Sequence, residues 1–168
     1  MMNEKINVAV IGASGYTGLE LLKMIVVHPN FELKYVATSE GEVKLSELHP
    51  SLLDVIETDV HKASALEVSK RCELAFLALP HQTAMGCVKE LMAVNVKVVD
   101  LSADYRLKLE TYEANYCPHI DKENLEHAVY GLAELNREKI KQAKLVANPG
   151  CYPTATILAT LPFMGYKI

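Results

Sequence analysis

A loop containing three glycines lies between a strand pattern and a helix pattern near the start of the chain. The run INVAVIG, residues 6–12, is almost continuously apolar, which is typical of a strand buried on both faces of a parallel sheet. The segment YTGLELLKMIVVH, residues 16–28, places apolar residues on one helical face, and Pro29 ends it. GASGYTG, residues 12–18, joins the two. A buried strand connected by glycines to a helix predicts the first unit of an α/β fold.

The glycine spacing G-x-x-G-x-x-G is a variant of the dinucleotide-binding pattern. Gly12 permits the tight turn, Gly15 lets a diphosphate approach the backbone, and Gly18 lets the helix pack against the strand. The free N–H groups at the start of the helix can hold the diphosphate, and nearby hydroxyls add donors. The alternative is a glycine-rich turn that binds no ligand. The predicted cofactor contacts in this loop are Gly12, Ser14, Gly15, Tyr16, Thr17 and Gly18.

Further apolar runs alternate with helix patterns along the chain. A mostly parallel sheet covered by helices on both faces follows from such alternation, so the predicted fold is a doubly wound α/β domain of the Rossmann type. The polar segments 40–71 and 103–133 are expected to be loops with short elements. The remaining predicted strands are 31–39, 72–80, 96–102 and 144–149, and the remaining predicted helices are 82–94, 136–143 and a helix beginning near residue 151.

Composition excludes several function classes. The chain has 168 residues, of which 50% are hydrophobic and 23% charged, as in ordinary globular proteins. Its net charge of −4 argues against a nucleic-acid partner. No apolar run approaches the roughly 20 residues that span a bilayer, and the N-terminus lacks a signal-peptide pattern, so we expect a cytoplasmic protein without a membrane partner.

The four cysteines are widely spaced and include no C-x-x-C pair, which argues against a zinc ribbon or a thioredoxin-type motif, and we expect no metal site. In the expected compartment reduced thiols are favoured over disulfides. Cys72 and Cys87 lie in strand and helix patterns and are interpreted as core residues, whereas Cys117 has no clear assignment. Cys151 differs from these, because it directly follows Asn-Pro-Gly between the last strand pattern and an apolar helix pattern.

Cys151 is the candidate nucleophile. At a helix N-terminus the dipole and free N–H groups stabilise a thiolate, which can attack an acyl carbon while backbone N–H groups hold the oxyanion. The alternative is a small buried residue at a strand–helix junction. The glycine loop upstream and the position after a later strand favour the nucleophile, because doubly wound sheets bind ligands at the carboxyl ends of their strands.

The end of the second predicted strand bears on cofactor choice. An NAD-preferring site usually offers an acidic side chain there, whereas ATSEGE offers Thr38 and Ser39 first and then Glu40. Hydroxyl groups can donate to a 2′-phosphate, which favours NADP(H), with Ser39 as a predicted contact. Glu40 would repel that phosphate if it pointed inward.

Five segments of the chain resemble N-acetyl-gamma-glutamyl-phosphate reductases, the arginine-pathway family within the semialdehyde dehydrogenase group. These segments are VIGASGYTGLELLK, LALPH, VDLSADYRL, YGLAELNRE and NPGCYPTA. The resemblance implies NADPH-dependent reduction of N-acetylglutamyl 5-phosphate to N-acetylglutamate 5-semialdehyde and phosphate through a thioester on Cys151. Aspartate-semialdehyde dehydrogenases are similar in fold and glycine loop, and Tyr152-Pro153-Thr154 after the cysteine favours the glutamyl enzyme.

The resemblance covers all of this chain but only the N-terminal part of the family. It implies a dinucleotide-binding domain over residues 1–150 and the start of an α+β catalytic domain at residues 151–168. It also implies a homo-oligomeric full-length protein whose acid/base histidine lies outside this chain, so the chain alone is expected to be inactive. Two departures are Glu40, where the family often has arginine, and Ala133, where it usually has proline.

Three residues are weaker candidates for binding the small-molecule substrate. His81 could lie near the nicotinamide or substrate, or form a local hydrogen bond in a loop. Arg106 could grip a carboxylate or phosphate, or pair locally with Asp104. Asn148 could orient the cysteine turn, or cap the following helix. The histidines interpreted as surface or loop residues are His28, His49, His61, His119 and His127.

Overall fold

The apolar runs form one eight-stranded sheet in the computed structural model, which describes residues 5–165. The strand order is β3-β4-β2-β1-β5-β6-β8-β7, and every neighbouring pair is parallel except β3 with β4. The predicted doubly wound α/β fold is therefore confirmed. The strands are β1 Ile6–Ile11, β2 Phe31–Thr38, β3 Val43–Lys44, β4 Asp59–Lys62, β5 Leu74–Leu77, β6 Lys97–Asp100, β7 Val129–Tyr130 and β8 Leu145–Ala147.

Helices and short 3₁₀ turns connect the strands. None of the helices among residues 5–165 is both long and apolar enough to cross a membrane. The helices are α1 Tyr16–Val26, α2 Leu45–Leu48, α3 Ala65–Arg71, α4 Thr83–Ala93, α5 Leu109–Asn115, α6 Lys122–His127, α7 Ala133–Gln142 and α8 Cys151–Thr160, with 3₁₀ turns at Pro50–Leu52 and Leu161–Phe163.

The sheet separates two apolar clusters, one on each face. Val8 and Val10 of β1 pack into the cluster that contains Leu22 of α1, whereas Ala9 and Ile11 pack into the cluster on the opposite face. Successive side chains of a strand point to opposite faces, so a strand buried on both sides must be apolar at every position. This is the physical reason for the continuous apolar run at the start of the chain.

Element boundaries differ modestly from the predictions. Strand β5 is shorter than the predicted 72–80, because Cys72 is the C-cap of α3 and residues 78–80 turn away into the loop that precedes α4. Helix α7 begins at Ala133 instead of residue 136, and it bends at Asn136, whose side-chain amide donates to the Tyr130 carbonyl. The segment 40–71 contains the fourth strand and α3, which Ser64 caps through its side-chain oxygen.

Candidate functional site

The predicted site residues follow four neighbouring strands of the sheet. The glycine loop follows β1, His81 follows β5, Arg106 follows β6 and Cys151 follows β8. Because these strands are parallel, all four segments lie at the carboxyl edge of the sheet. Three strand spacings separate β1 from β8, or about 14 Å. The edge also contains the switch point between β1 and β5, where the chain reverses direction along the sheet and such folds bind ligands.

The three glycines of the loop have different surroundings. Gly12 has φ +88°, and a Cβ there would lie 2.3 Å from the Ala78 carbonyl oxygen. A Cβ on Gly18 would lie 2.4 Å from the Gly12 carbonyl oxygen, so both positions are closed to larger residues. Gly15 is exposed, and the nearest atom to its added Cβ is 4.0 Å away. Gly12 and Gly18 therefore allow close backbone packing, whereas Gly15 leaves an open surface.

The open surface lies at the N-terminus of α1. Gly15 is the N-cap of this 11-residue helix and has no side chain to bond the N–H groups of the first turn. Ser14, Tyr16 and Thr17 are exposed beside it, Tyr16 to 92%. Free N–H groups with the positive end of a helix dipole and an unobstructed approach fit a diphosphate.

His49 contacts this loop, which the sequence did not indicate. Its Nε2 lies 2.6 Å from the Ala13 carbonyl oxygen, so the ring N–H donates to the loop backbone. Leu45 and Leu52, on either side of His49, are buried in the cluster that also contains Ala13. The segment 45–52 therefore stabilises the glycine loop through one hydrogen bond and through shared apolar packing.

The turn after β2 is tightly built. The Thr38 hydroxyl accepts a hydrogen bond from the Gly41 N–H at 2.9 Å, so this oxygen closes the turn. Gly41 has φ +71°, and a Cβ there would lie 2.3 Å from the backbone nitrogen of Lys62. Ser39 and Glu40 are exposed at the tip of the turn.

His81 is exposed in the loop between β5 and α4. Its Nδ1 accepts a hydrogen bond from the Ala103 N–H at 2.9 Å, so the neutral ring carries its proton on Nε2. The next residue, Gln82, has φ +71°, and its N–H donates to the buried Asp104 carboxylate at 2.8 Å. His81 forms the predicted local hydrogen bond while its second ring nitrogen remains available at the carboxyl edge.

A buried polar network lies beneath His81. The Asp104 carboxylate also accepts from the Tyr112 hydroxyl at 2.8 Å, and its backbone carbonyl bonds to Nε2 of His119 at 3.0 Å. Burial raises the pKa of the Tyr112 phenol above its ordinary value. His119 was interpreted as a surface or loop residue; it is in a loop but only 2% exposed.

The segment VDLSADYRL begins this network. Asp100 accepts from both the hydroxyl and the N–H of Ser102, at 2.6 and 3.1 Å. Burial raises the pKa of the Asp100 carboxyl, and the bonds from Ser102 oppose that shift. The motif therefore has a structural role in fixing the loop after β6.

Arg106 bonds to the backbone of the cysteine turn. Its Nε donates to the Asn148 carbonyl at 2.8 Å and its Nη2 to the Leu101 carbonyl at 2.7 Å. Among the ion pairs of residues 5–165, none joins Arg106 to Asp104, so the predicted local pair is wrong. Nη1 lies 3.0 Å from the point that a Cβ on Gly150 would occupy, which places a cation next to the residue preceding Cys151.

Asn148 does not cap α8. The N-cap is Gly150, and the Asn148 side-chain amide donates to the Pro149 carbonyl at 3.2 Å. The capping alternative is therefore wrong. The Asn148 carbonyl accepts a hydrogen bond from Arg106, and this bond links the turn before Cys151 to the loop after β6.

Cys151 is the first residue of the ten-residue helix α8 and is exposed. Gly150 offers no side chain to the N–H groups of the first turn. Thr154 closes that turn by donating its N–H and its hydroxyl to the Gly150 carbonyl, at 3.1 and 2.9 Å. An accessible sulfur, uncapped N–H groups and the Arg106 charge nearby suit nucleophilic attack on an acyl group.

Comparison with known proteins identifies the family. The sequence model described as "Semialdehyde dehydrogenase, NAD binding domain" matches residues 7–143. The chain belongs to this family.

This semialdehyde dehydrogenase domain has close relatives and distant structural neighbours. It is 63% identical over 163 residues to an N-acetyl-gamma-glutamyl-phosphate reductase of Wolinella succinogenes, covering 97% of this chain and 48% of the relative. It is 62% identical over 161 residues to the reductase of that name from Campylobacter curvus, covering 96% and 48%. The chain thus spans about half the length of the curated relatives it matches. Aspartate semialdehyde dehydrogenase with NADP from Candida albicans shares the fold, with a TM-score of 0.68, 16% identity, and coverage of 95% of this chain and 47% of that one.

The other thiols of the semialdehyde dehydrogenase domain are less accessible. Cys72 is 5% exposed, and burial raises its thiol pKa to about 11. Cys87 is half-buried in α4, and burial raises its thiol pKa to about 12. Both agree with the prediction of core residues. Cys117 is half-buried, and its sulfur lies 3.8 Å from the Tyr112 hydroxyl.

Proposed function

We propose that this chain supplies the dinucleotide site and the nucleophile of an NADPH-dependent reductase in arginine biosynthesis. The reaction converts N-acetylglutamyl 5-phosphate to N-acetylglutamate 5-semialdehyde and phosphate. The observation that carries the proposal is the exposed Cys151 at the start of α8, on the same sheet edge as the glycine loop. The similarity to reductases of this name over almost the whole chain supports the choice of substrate.

The glycine loop fits the diphosphate of a dinucleotide. In the proposal Gly12, Gly15 and Gly18 shape the loop, and the N–H groups of the α1 first turn hold the diphosphate. Ser14, Tyr16 and Thr17 border it, and Ser39 lies at the end of β2 where the ribose is expected. Bound NADPH supplies the hydride.

Cys151 performs the covalent step in this proposal. Its thiolate attacks the acyl carbon of the substrate, the carbon–oxygen bond to phosphate breaks, and a thioester remains. NADPH held at the glycine loop would supply the hydride that reduces the thioester carbon, and the Cys151 thiolate would leave as the aldehyde forms. A thiolate suits both steps because it is a good nucleophile and a good leaving group.

Three further residues have supporting roles in the proposal. Arg106, bonded to the Asn148 carbonyl, holds the turn that carries the nucleophile and places positive charge near the departing phosphate. Asn148 orients that turn through its carbonyl. His81, fixed through Nδ1, offers its Nε2 hydrogen to the substrate or the nicotinamide.

The proposal extends to domain organisation and setting. Residues 1–150 form the dinucleotide-binding domain and residues 151–168 begin a second, catalytic domain; residues 1–4 and 166–168 lie outside the described residues. In support, α8 contains no buried residue, and the apolar side chains of Tyr152 and Phe163 are 84% and 66% exposed. We propose that this chain alone turns over little, and that the longer protein is a homo-oligomer that works in the cytoplasm without a nucleic-acid partner.

The test is the reverse reaction, in which N-acetylglutamate semialdehyde reduces NADP⁺ and its acyl group passes to phosphate, followed by nicotinamide absorbance. It is run on this chain, on the longer protein of which we propose it is part, and on that protein carrying Cys151→Ser. Aspartate semialdehyde serves as the competing substrate. We expect phosphate-dependent reduction by the longer protein only, and none after Cys151→Ser.

Other outcomes contradict the proposal in different ways. Retained turnover in Cys151→Ser would remove Cys151 from the mechanism. Preference for aspartate semialdehyde would change the substrate. If the longer protein bound dinucleotide but showed no turnover, it would be a dinucleotide-binding module without acyl chemistry.

A further inference from the structure

The turn after β2 combines features that conflict for a cofactor with a 2′-phosphate. Ser39 offers a hydroxyl donor, but Glu40 beside it is exposed and negatively charged. A phosphate carries nearly two negative charges, so Glu40 alone would oppose NADP(H) relative to NAD(H). A cation near this turn would offset the charge of Glu40 and favour NADP(H).

Strand β4 places a lysine beside the turn. Lys62 ends β4 and is the register partner of Thr38, which ends β2. The Ala63 N–H donates to the Thr38 carbonyl at 3.0 Å, so the two strands stay paired up to the turn. Gly41, which closes the turn, packs against the backbone nitrogen of Lys62. Lys62 therefore lies at the carboxyl edge, adjacent to Ser39 and Glu40.

The Lys62 ammonium forms no ion pair with another residue of the described part of the chain. The side chain of Lys62 is exposed. Its backbone, by contrast, is held, because the Tyr35 hydroxyl donates to the Lys62 carbonyl at 2.8 Å. A lysine whose backbone is held and whose ammonium forms no ion pair is suited to bind an anionic group such as a phosphate.

We propose that Lys62 recognises the 2′-phosphate of NADP(H) and offsets the charge of Glu40. Lys62 thus takes the role that an arginine near the end of β2 has in other NADP sites, but from the neighbouring strand. This inference rests on the proposed function, since it assumes that the ribose of the cofactor lies at the end of β2.

The test compares dinucleotide affinities by calorimetric titration of this chain with NADP⁺ and with NAD⁺. The variants are Lys62→Met and, as a matched control, Lys97→Met. Lys97 is also exposed on a strand, but it begins β6 and so lies at the opposite edge of the sheet. An exposed cation beside a doubly charged phosphate contributes about tenfold in affinity at low salt, and less at high salt.

We expect Lys62→Met to raise the Kd for NADP⁺ about tenfold and to leave the Kd for NAD⁺ and the melting temperature unchanged. The ratio between the NADP⁺ Kd of Lys62→Met and that of the unmodified chain should fall at about 0.5 M salt, because salt screens the interaction between exposed charges. Lys97→Met should alter neither Kd. Glu40→Gln should tighten NADP⁺ binding in the presence of Lys62.

Two results overturn the inference. An equal loss for both dinucleotides, or no loss for NADP⁺, would show that Lys62 does not read the 2′-phosphate, while dinucleotide binding itself would stand. Failure of the unmodified chain to bind either dinucleotide would instead overturn the proposed function and this inference with it.

Discussion

Thiol reactivity should separate the exposed Cys151 from Cys72 and Cys87. We predict that a small aromatic disulfide reagent at pH 8 modifies Cys151 at the rate of an exposed thiol or faster. Cys72 and Cys87 should lag far behind, because burial raises their thiol pKa values to about 11 and about 12. The thiolate is the reacting form, so the raised pKa values slow the reaction.

Two opposing effects set the magnitude. Relative to a model thiol of pKa about 8.5, the thiolate fraction at pH 8 falls roughly 240-fold for Cys72 and roughly 2,400-fold for Cys87. A thiolate of higher pKa is intrinsically more nucleophilic, with a slope of about 0.45 per unit, which restores roughly 13-fold and 40-fold. The net expectation is about 20-fold slower reaction for Cys72 and about 60-fold slower for Cys87, before steric exclusion adds to both.

The assay is quenched labelling followed by peptide mass spectrometry, with the denatured chain as the control for equal intrinsic reactivity. Raising the pH from 8 to 9 should speed Cys72 and Cys87 about tenfold, since both pKa values lie above this range. If Cys87 were labelled as fast as Cys151 in the native chain, the distinction between a core thiol and a nucleophile would be refuted.

Four further substitutions test the loops at the carboxyl edge. His49→Ala should raise the dinucleotide Kd about tenfold, because the bond to the glycine loop is lost. Gly12→Ala should destabilise the fold by at least about 2 kcal/mol through its clash with a carbonyl. Gly15→Ala should leave stability unchanged or slightly higher but impair dinucleotide binding. Arg106→Ala should lower the free energy of unfolding by about 2–3 kcal/mol, because two charge-assisted hydrogen bonds are lost.

Matched variants and two measurements check these expectations. Calorimetric titration gives the dinucleotide Kd, and urea unfolding gives the stability. His49→Gln retains an N–H donor and should recover part of the affinity; an equal loss in both variants would contradict the positioning role. Arg106→Lys should recover only part of the stability, since lysine lacks the planar fork. Equal stability losses at Gly12 and Gly15 would contradict the difference in their surroundings.

Local patterns were sufficient to predict the fold and the position of Cys151 at the start of a helix. The apolar run of β1 and the three glycines require a buried strand, a tight turn and a helix start, all within residues 6–18. Cys151 was predictable for the same reason, because Pro149 and Gly150 mark the turn before a helix.

Contacts between distant segments could not be read from these patterns. His49 reaches Ala13 across 36 positions, and Arg106 reaches Asn148 across 42. Lys62 became a candidate only when strand order placed β4 beside β2. Periodicity reports which face of an element is buried, but not which loops the sheet brings together.

The most direct test of the proposed chemistry is the detection of an acyl group on Cys151. The longer protein is mixed with N-acetylglutamyl 5-phosphate in the absence of NADPH, quenched in acid, and digested for mass spectrometry. We predict a stoichiometric burst of phosphate and one acylated peptide, which contains Cys151 and loses its label on addition of NADPH before the quench. A phosphate burst without acylation of Cys151, or acylation at another residue that persists in Cys151→Ala, would contradict the assignment of the nucleophile.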